Sequence, residues 1–423
     1  MKIVLQSWGS NGDIRPVMAL AGGLKAAGNK VVLLATCVDS TDFSTLASAS
    51  GVEYLKVPES VELDIPDFLK KTSSQGNLPS DNIRFVRLLM ETLFFPYQEI
   101  MFEEALRQCS DADLAIGHVL CYPLRAAAEI RKIPYLSICF WPGLVPSSQY
   151  IQPGMPDFGR FINLAGWKII YAVLNILLKR KIRKFWTSKG LAPFRNVHED
   201  VFLSKELNLV AASPVLFQPP PDWGKRHRMS GFLNISDAAE NLTTPRDLSD
   251  FISSGESPVF LGLGSMQMIQ PEYCTELLIS AARKSGLRAI INTNSGKFPP
   301  GLYGKNIFLA GQVPHHRIFP RCRAVLHHGG AGTTHTASMA GCPSVTIPFI
   351  DEQLSWGRIL HSLGIGTKPL PFVRATPDKI ARLLHIATES DEMLKRAAVI
   401  GSDMRNHDGV AETVKIITNF LRK

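Results

Sequence analysis

The chain has 423 residues, 45% hydrophobic and 20% charged, with a formal net charge of +9. That composition excludes a disordered or collagen-like chain, and the length exceeds what one ordinary core encloses, so two domains are expected. The positive charge is not gathered into one tail, and no nucleic-acid partner is expected. The seven cysteines (Cys37, Cys109, Cys121, Cys139, Cys274, Cys322 and Cys342) are scattered and form no C-x-x-C pair. They read as free thiols in a reducing compartment, with neither a disulfide framework nor zinc.

In chain order, Lys2–Ser7 is an apolar run of strand length that ends too soon to be a signal peptide. A cytoplasmic protein is therefore expected, and the sequons at Asn234 and Asn241 then have no consequence. Pro16–Ala27 has helical periodicity closed by Gly28, and Lys30–Thr36, Val52–Val57, Ala112–Gly117 and Pro134–Phe140 are further strands. Asp81–Arg107 is helical, with an interruption near Pro96. Fully apolar strands alternating with helices imply a parallel sheet covered on both faces.

The segment Phe158–Trp186 joins an apolar stretch to the basic run Lys179-Arg180-Lys181-Ile182-Arg183-Lys184. One reading is a helical pair of the first domain with its cations in water. The other is a helix at a membrane surface, apolar side in and basic side toward anionic headgroups, a peripheral contact through 158–186 at the inner membrane face. Leu207–Ala212 closes the first half. The run Phe217-Gln218-Pro219-Pro220-Pro221 cannot join a ladder or helix interior, so a linker is expected over 216–245 between domains at 1–215 and 246–400. In the second half Pro258–Leu263, Leu287–Thr293, Asn306–Ala310, Arg323–Leu326 and Ser344–Ile347 read as strands. Between and after them Glu272–Ser285, His315–Phe319, Thr334–Ala340, Ser355–Leu363, Asp378–Thr388, Asp391–Ile400 and Gly409–Leu421 read as helices. The fold class is α/β, with two doubly wound halves.

Ligands of open parallel sheets bind beyond the carboxyl ends of the strands, and four such loops carry chemistry. Gly9-Ser10-Asn11-Gly12-Asp13 follows the first strand. Asp13 is either an N-cap or a carboxylate available as a general base. Gly262-Leu263-Gly264-Ser265 could support a phosphate turn, though it lacks the third glycine of the dinucleotide pattern. In His327-His328-Gly329-Gly330-Ala331-Gly332-Thr333-Thr334, glycines admit a close ligand, and the free N–H groups of a helix start favour an anion. The adjacent histidines point to opposite faces, and no further ligands for a metal are evident nearby. Glu352-Gln353 offers a carboxylate and an amide suited to vicinal hydroxyls; the alternative is acidic residues at a helix start.

Taken together, Gly9–Pro16, Gly262–Met266 and Val313–Gly366 resemble the family 1 glycosyltransferases of GT-B architecture, in the subgroup of sterol, macrolide and glycopeptide-antibiotic glycosyltransferases. The resemblance covers nearly the whole chain. It implies two Rossmann-like domains facing across a cleft, the first for the acceptor and the second for the nucleotide sugar. It also implies that residues 401–423, as a final helix, return to the first domain. By the same resemblance Asp13 is the base, beside an acceptor loop of Ser10, Asn11 and Gly12. His328, Gly330, Gly332, Thr333, Thr334 and Ser265 hold the donor diphosphate. Gln312 and Val313 hold the nucleoside, and Glu352 and Gln353 the sugar. Two departures stand out: Gln312 occupies a position where many relatives have tryptophan, and the sugar pair is Glu-Gln where Asp-Gln is usual.

The implied reaction is an inverting, metal-independent transfer of a hexose, glucose from UDP-glucose, to a hydroxyl of an apolar acceptor such as a sterol. UDP-sugar is a co-substrate, and no cofactor is expected. An aspartate of ordinary pKa, about 3.9, at a helix start that favours its ionised form would accept the proton late in the attack. Phe85, Leu88, Leu89, Phe94, Phe95, Tyr97, Phe140, Trp141, Phe161 and Trp167 supply apolar material for the acceptor side. A macrolide, flavonoid or other aglycone is the alternative acceptor. A sugar-nucleotide epimerase of the same fold, a binding-only protein and a nicotinamide oxidoreductase are the rival classes, the last disfavoured by the missing G-x-G-x-x-G.

Overall fold

The computed structural model describes residues 1–39, 41–61, 82–235, 244–293 and 297–422. Asp81, the expected first residue of a helix, the sequon Asn241 and residues 236–243 of the expected linker lie outside that set. Two parallel sheets organise the chain. In the first, β1 (Lys2–Gly9), β2 (Lys30–Cys37), β3 (Glu53–Lys56), β4 (Leu114–His118), β5 (Tyr135–Cys139), β6 (Leu207–Val210) and β7 (His227–Met229) stand in the order 3-2-1-4-5-6-7. In the second, β8 (Val259–Leu261), β9 (Ala289–Asn292), β10 (Gly301–Leu302), β11 (Ile307–Ala310), β12 (Ala324–His327) and β13 (Ser344–Thr346) stand in the order 10-11-9-8-12-13, with β10 antiparallel. The fully apolar strands are buried from both sides, as parallel sheets require. Gln6 and Ser7 are buried polar residues inside β1: the Gln6 amide donates to Met101 O at 3.1 Å and accepts from the Leu124 N–H at 3.0 Å, and the Ser7 hydroxyl donates to Asp13 O at 2.9 Å.

Strand order reverses between β1 and β4 in the first sheet and between β8 and β12 in the second. The loops after β1, β8 and β12 are three of the four singled out from the sequence. Each therefore sits at a switch point, where diverging connections leave a crevice.

Several boundaries differ from expectation. Helices begin earlier, at Asn11–Ala26, Ala331–Met339 and Asp351–Ser362. Weak helix formers such as Gly12, Gly332 and Asp351 occupy first turns there, and the surrounding fold overrides their propensity. The helices Tyr122–Arg131 and Arg246–Ser253 were not anticipated. The stretch 216–245 is not a free linker at its start. Its prolines set a short turn at Pro221–Trp223, where the Asp222 carboxylate accepts from the Ser147 hydroxyl at 2.9 Å and the Ser148 N–H at 2.6 Å, and β7 then joins the sheet. The expected helical pair at 158–186 is one helix, Arg160–Ser188. Gly166 does not break it, and lets Ile151 pack closely against it.

The last helix, Gly409–Leu421, lies against Asn11–Ala26, and its Ile417 is buried in the core of the first unit. The contact depends on Gly23: a Cβ there would overlap Val410 Cγ1, whereas one on Gly22 would sit at ordinary contact, 3.4 Å from Ser50 Cβ. Gly23→Val should therefore cost about 1–3 kcal/mol in urea unfolding, and Gly22→Ala should be close to neutral. Equal stability of the two variants would refute this packing.

Candidate active site

The first unit contributes Asp13. Gly9 ends β1 at a φ of +138°, and Ser10 caps the helix. Asp13, in its first turn, folds back so that Oδ2 accepts from the Ser10 N–H at 2.9 Å and the Ser10 hydroxyl at 3.2 Å. Gly9 is needed twice, for its backbone conformation and because a Cβ would overlap this carboxyl. Asp13 is therefore not the N-cap, which is Ser10, but the third helical residue, whose carboxylate closes a capping box. Its acidity departs from expectation. Loss of water raises its pKa to about 6; the Ser10 hydrogen bonds pull the other way, and the Asp39 charge adds to the rise. The helix start does not outweigh burial. In the same loop the Asn11 N–H donates to Asp39 Oδ2 at 2.7 Å and Gly12 is exposed.

The second unit contributes three converging loops. The His328 ring lies between Gly264 and Gly330: a Cβ on Gly264 would come within 2.5 Å of Cε1, and one on Gly330 would overlap Nε2. Burial lowers its pKa to about 4, so the ring is neutral near pH 7 and donates one N–H; Nδ1 is buried with no partner among the described residues. Gly330 caps the helix Ala331–Met339 without a side-chain hydrogen bond, which leaves the first-turn N–H groups for a ligand. A Cβ on Gly332 would meet nothing within 4 Å. Thr333 is half-buried, and Thr334 is fully buried with its hydroxyl unpartnered among the described residues.

His327 is a packing residue. It is buried, and its Nδ1 accepts from the Gly329 N–H at 3.0 Å. Gly329 lies against Gln353, whose carbonyl oxygen would be 2.6 Å from an added Cβ. The Gln353 side chain is partly committed, because its amide oxygen accepts from the Phe349 N–H at 2.9 Å. Glu352 is half-buried in the first turn of its helix, as the helix-start reading expects; burial first and the Asp13 charge second raise its pKa to about 7. That second cause puts Asp13 and Glu352 within electrostatic reach across the cleft. Ser265 and Gln312 are exposed, and Val313 is buried in the core beneath them.

Some residues of this region went unrecognised in the sequence. His315 stacks on Phe319 at 4.7 Å, and its acidity responds to Arg15 from the first unit and to His328. At the ends of β4 and β5 His118 stacks on Phe140 at 5.3 Å, and its Nδ1 and the half-buried Trp141's Nε1 are unpartnered among the described residues. Of the apolar residues expected near an acceptor, Trp141 is half-buried here, whereas Phe94 and Trp167 are core and Phe161 points outward. His335 joins the units. The Ser213 N–H donates to its Nε2 at 3.0 Å, so the proton sits on Nδ1, which donates to Ala331 O at 2.7 Å. The ring stacks on Phe232 at 4.5 Å and meets the edge of Trp356 at 4.9 Å.

Comparison with known proteins agrees with this geometry. Residues 294–420 match the erythromycin biosynthesis protein CIII-like C-terminal domain. The chain is 29% identical over 443 residues to sterol 3-beta-glucosyltransferase UGT80A2 of Arabidopsis thaliana, covering 100% of this chain and 66% of that protein. It is 27% identical over 440 residues to O-mycaminosyltylonolide 6-deoxyallosyltransferase of Streptomyces fradiae, covering 99% and 97%. Among solved structures, the glycotransferase of kitacinnamycin superposes with a TM-score of 0.69 at 18% identity over 99% of both chains. The glycosyltransferase VinC in complex with dTDP gives 0.65 at 18% over 100% of both. The chain has the GT-B fold of these solved glycosyltransferases. It spans 66% of the Arabidopsis sterol enzyme and 27% of a sterol 3-beta-glucosyltransferase of Cryptococcus neoformans that it also matches. Within this GT-B fold the two switch-point crevices face one another, with a carboxylate on one side and the uncapped helix start at Gly330 on the other.

Gly332 gives a direct test of this helix start. Gly332→Ala should leave the melting temperature unchanged, since its Cβ meets nothing, yet weaken calorimetric affinity for nucleoside diphosphate about tenfold or more. Gly330→Ala should displace His328 and impair both properties. Unchanged affinity in Gly332→Ala would remove that residue from the diphosphate contacts.

Proposed function

We propose that this chain transfers a hexose, glucose from UDP-glucose, with inversion to a hydroxyl of an apolar alcohol of the sterol class. The observation that carries the reading is the opposition of Asp13 and Glu352 across the cleft, beside the helix start at Gly330. The hydroxyl oxygen attacks the anomeric carbon, the bond from that carbon to the diphosphate oxygen breaks, and the hydroxyl proton passes to Asp13. Charge growing on the diphosphate is met by the N–H groups of the helix start and by the neutral His328 ring, groups already oriented before reaction. Thr333, and the Thr334 hydroxyl if it turns outward, add donors, with Ser265 from the facing loop. Val313 holds the base through its backbone with Gln312 alongside, and Glu352 with the Gln353 amide holds sugar hydroxyls. Ser10, Asn11 and Gly12 border the acceptor.

Asp13 has a particular fitness for this work. At an ordinary aspartate pKa of about 3.9 it would be a feeble acceptor; at about 6 it stays ionised at pH 7.5 and binds the proton more firmly. The sterol preference follows the similarity to the Arabidopsis enzyme and the outward apolar face of Arg160–Ser188, which suits an acceptor dissolved in lipid. A second reading, transfer to a macrolide or similar aglycone, is favoured by the Streptomyces fradiae relative, which the chain matches over nearly its full length.

The deciding assay offers radiolabelled UDP-glucose, and separately a dTDP-sugar, with sterols and macrolide aglycones. A new sterol glucoside is expected; donor consumption without a glycoside would indicate epimerisation, and product from macrolides alone would favour the second reading. Asp13→Asn should lower turnover by roughly 10²–10⁴ while donor affinity stays near normal. A variant with near wild-type turnover would overturn the assignment.

The pH profile follows from the same carboxyl. The base must be ionised, so kcat/KM for the acceptor should rise with pH through about 6 and then level. Stability runs the other way. A folded pKa above the unfolded one means that Asp13 favours the fold at low pH, and this contribution is lost as pH rises through about 6. Asp13→Asn should therefore melt higher than wild type at pH 8 while being nearly inactive. A melting temperature lowered at pH 8 would contradict the burial argument.

A further inference from the structure

The helix Arg160–Ser188 is long and apolar enough by composition to cross a membrane, yet one side of it is fastened to the protein. Asn163 Nδ2 donates to Ser148 O at 2.9 Å, Trp167 Nε1 donates to Tyr150 O at 2.9 Å, and Asn175 Oδ1 accepts from the Val197 N–H at 3.0 Å. Ile182, Phe185 and Trp186 are buried in the core of the first unit. A helix held along its length in this way can only lie on a surface.

Its other side has no such partner. Phe161, Ile169 and Ile176 are 87%, 65% and 81% exposed, and they recur every two helical turns, so they form one stripe. Arg180, Arg183 and Lys184 continue the stripe, are exposed, and make no ion pair among the described residues. The helix contains no aspartate or glutamate. Isolated exposed apolar residues are ordinary, but a contiguous row marks an interaction surface.

We propose that this stripe docks on an anionic bilayer, with Phe161, Ile169 and Ile176 entering the acyl boundary and Arg180, Arg183 and Lys184 over the headgroups. Charge decides against a second copy of the chain: two such stripes packed antiparallel would press the cations of each onto the apolar half of the other, and packed parallel would set cation on cation. An interfacial helix of one charge sign with an apolar half has the chemistry of lipid headgroup and chain. The docked face is one loop from the sugar-binding helix. Pro153 O accepts from the Ser355 hydroxyl at 2.6 Å, and Gly154 packs on Arg358, both on the helix that begins with Asp351 and Glu352. An apolar alcohol would thus enter the cleft from the lipid side. This last step rests on the transferase reading; the docking does not.

The test is sedimentation of the full chain with phosphatidylcholine vesicles, with and without phosphatidylserine, at low and high salt. Wild type should bind the anionic vesicles at least tenfold more tightly and release in salt. The triple variant Arg180→Glu, Arg183→Glu, Lys184→Glu should lose about a hundredfold on anionic vesicles. The triple variant Phe161→Ser, Ile169→Ser, Ile176→Ser should lose binding to both. All these side chains point away from the core, and glycoside formed from cyclodextrin-delivered sterol should be unchanged in either variant. Equal binding to both vesicle types, wild-type binding by the serine variant, or a concentration-dependent dimer abolished by that variant would overturn the proposal. Lipid binding retained in a chain that forms no glycoside would overturn the transferase reading alone.

Discussion

One imidazole ties the two units together. His335 accepts a backbone N–H from Ser213 in the first unit and donates to Ala331 in the second. Both bonds are lost in the other tautomer, and a second proton on the ring would abolish the bond from Ser213; burial keeps the ring neutral by lowering its pKa to about 4. Because Ala331 is the first residue of the helix that carries His335, the ring that joins the units also bonds to the start of that helix. Phe232 and Trp356 hold the ring from its face and its edge. The chemistry across the cleft thus depends on a contact that touches neither carboxylate nor His328.

The two sides of the cleft obtain their chemical character by different means. On the first, a carboxylate is made a better base by removing water from it. On the second, a helix start with no capping side chain lies beside a histidine too buried to be charged. Neutral donors oriented in advance meet growing negative charge without having to reorganise. Glycines make the arrangement feasible: Gly264 and Gly330 leave room for one ring, and Gly9 leaves room for one carboxyl.

Much of this was legible in the sequence where the signal is local. Apolar runs such as Val31–Ala35 and Ala324–Leu326 could hardly be anything but buried parallel strands, and the loops that follow β1, β8 and β12 carry their glycines and hydroxyls in plain order. What was illegible depends on distant partners. The three residues of β7 have no strand pattern of their own and are held by β6. The acidity of Asp13 is set by how much water its neighbours exclude, which no spacing encodes. His335 looks like any helix residue until Ser213, over a hundred residues earlier, is found bonded to it. Composition announced the apolar wealth of 158–186, but only the packing of Trp167 inward shows that Phe161 must face out.

The return of the final helix has a consequence for how the molecule is made. Gly409–Leu421 covers the apolar side of Asn11–Ala26 in the first unit, so the second unit is in effect inserted into the first. The path out passes Gly231 and the path back passes Gly409, and these two glycines touch backbone to backbone, a Cβ on the former lying 2.7 Å from the Cα of the latter. During synthesis the unit begun first is therefore finished last. Its side around Gly23 waits for Val410 and Val414, a cover that leaves the ribosome only after the whole second unit has emerged and had time to fold.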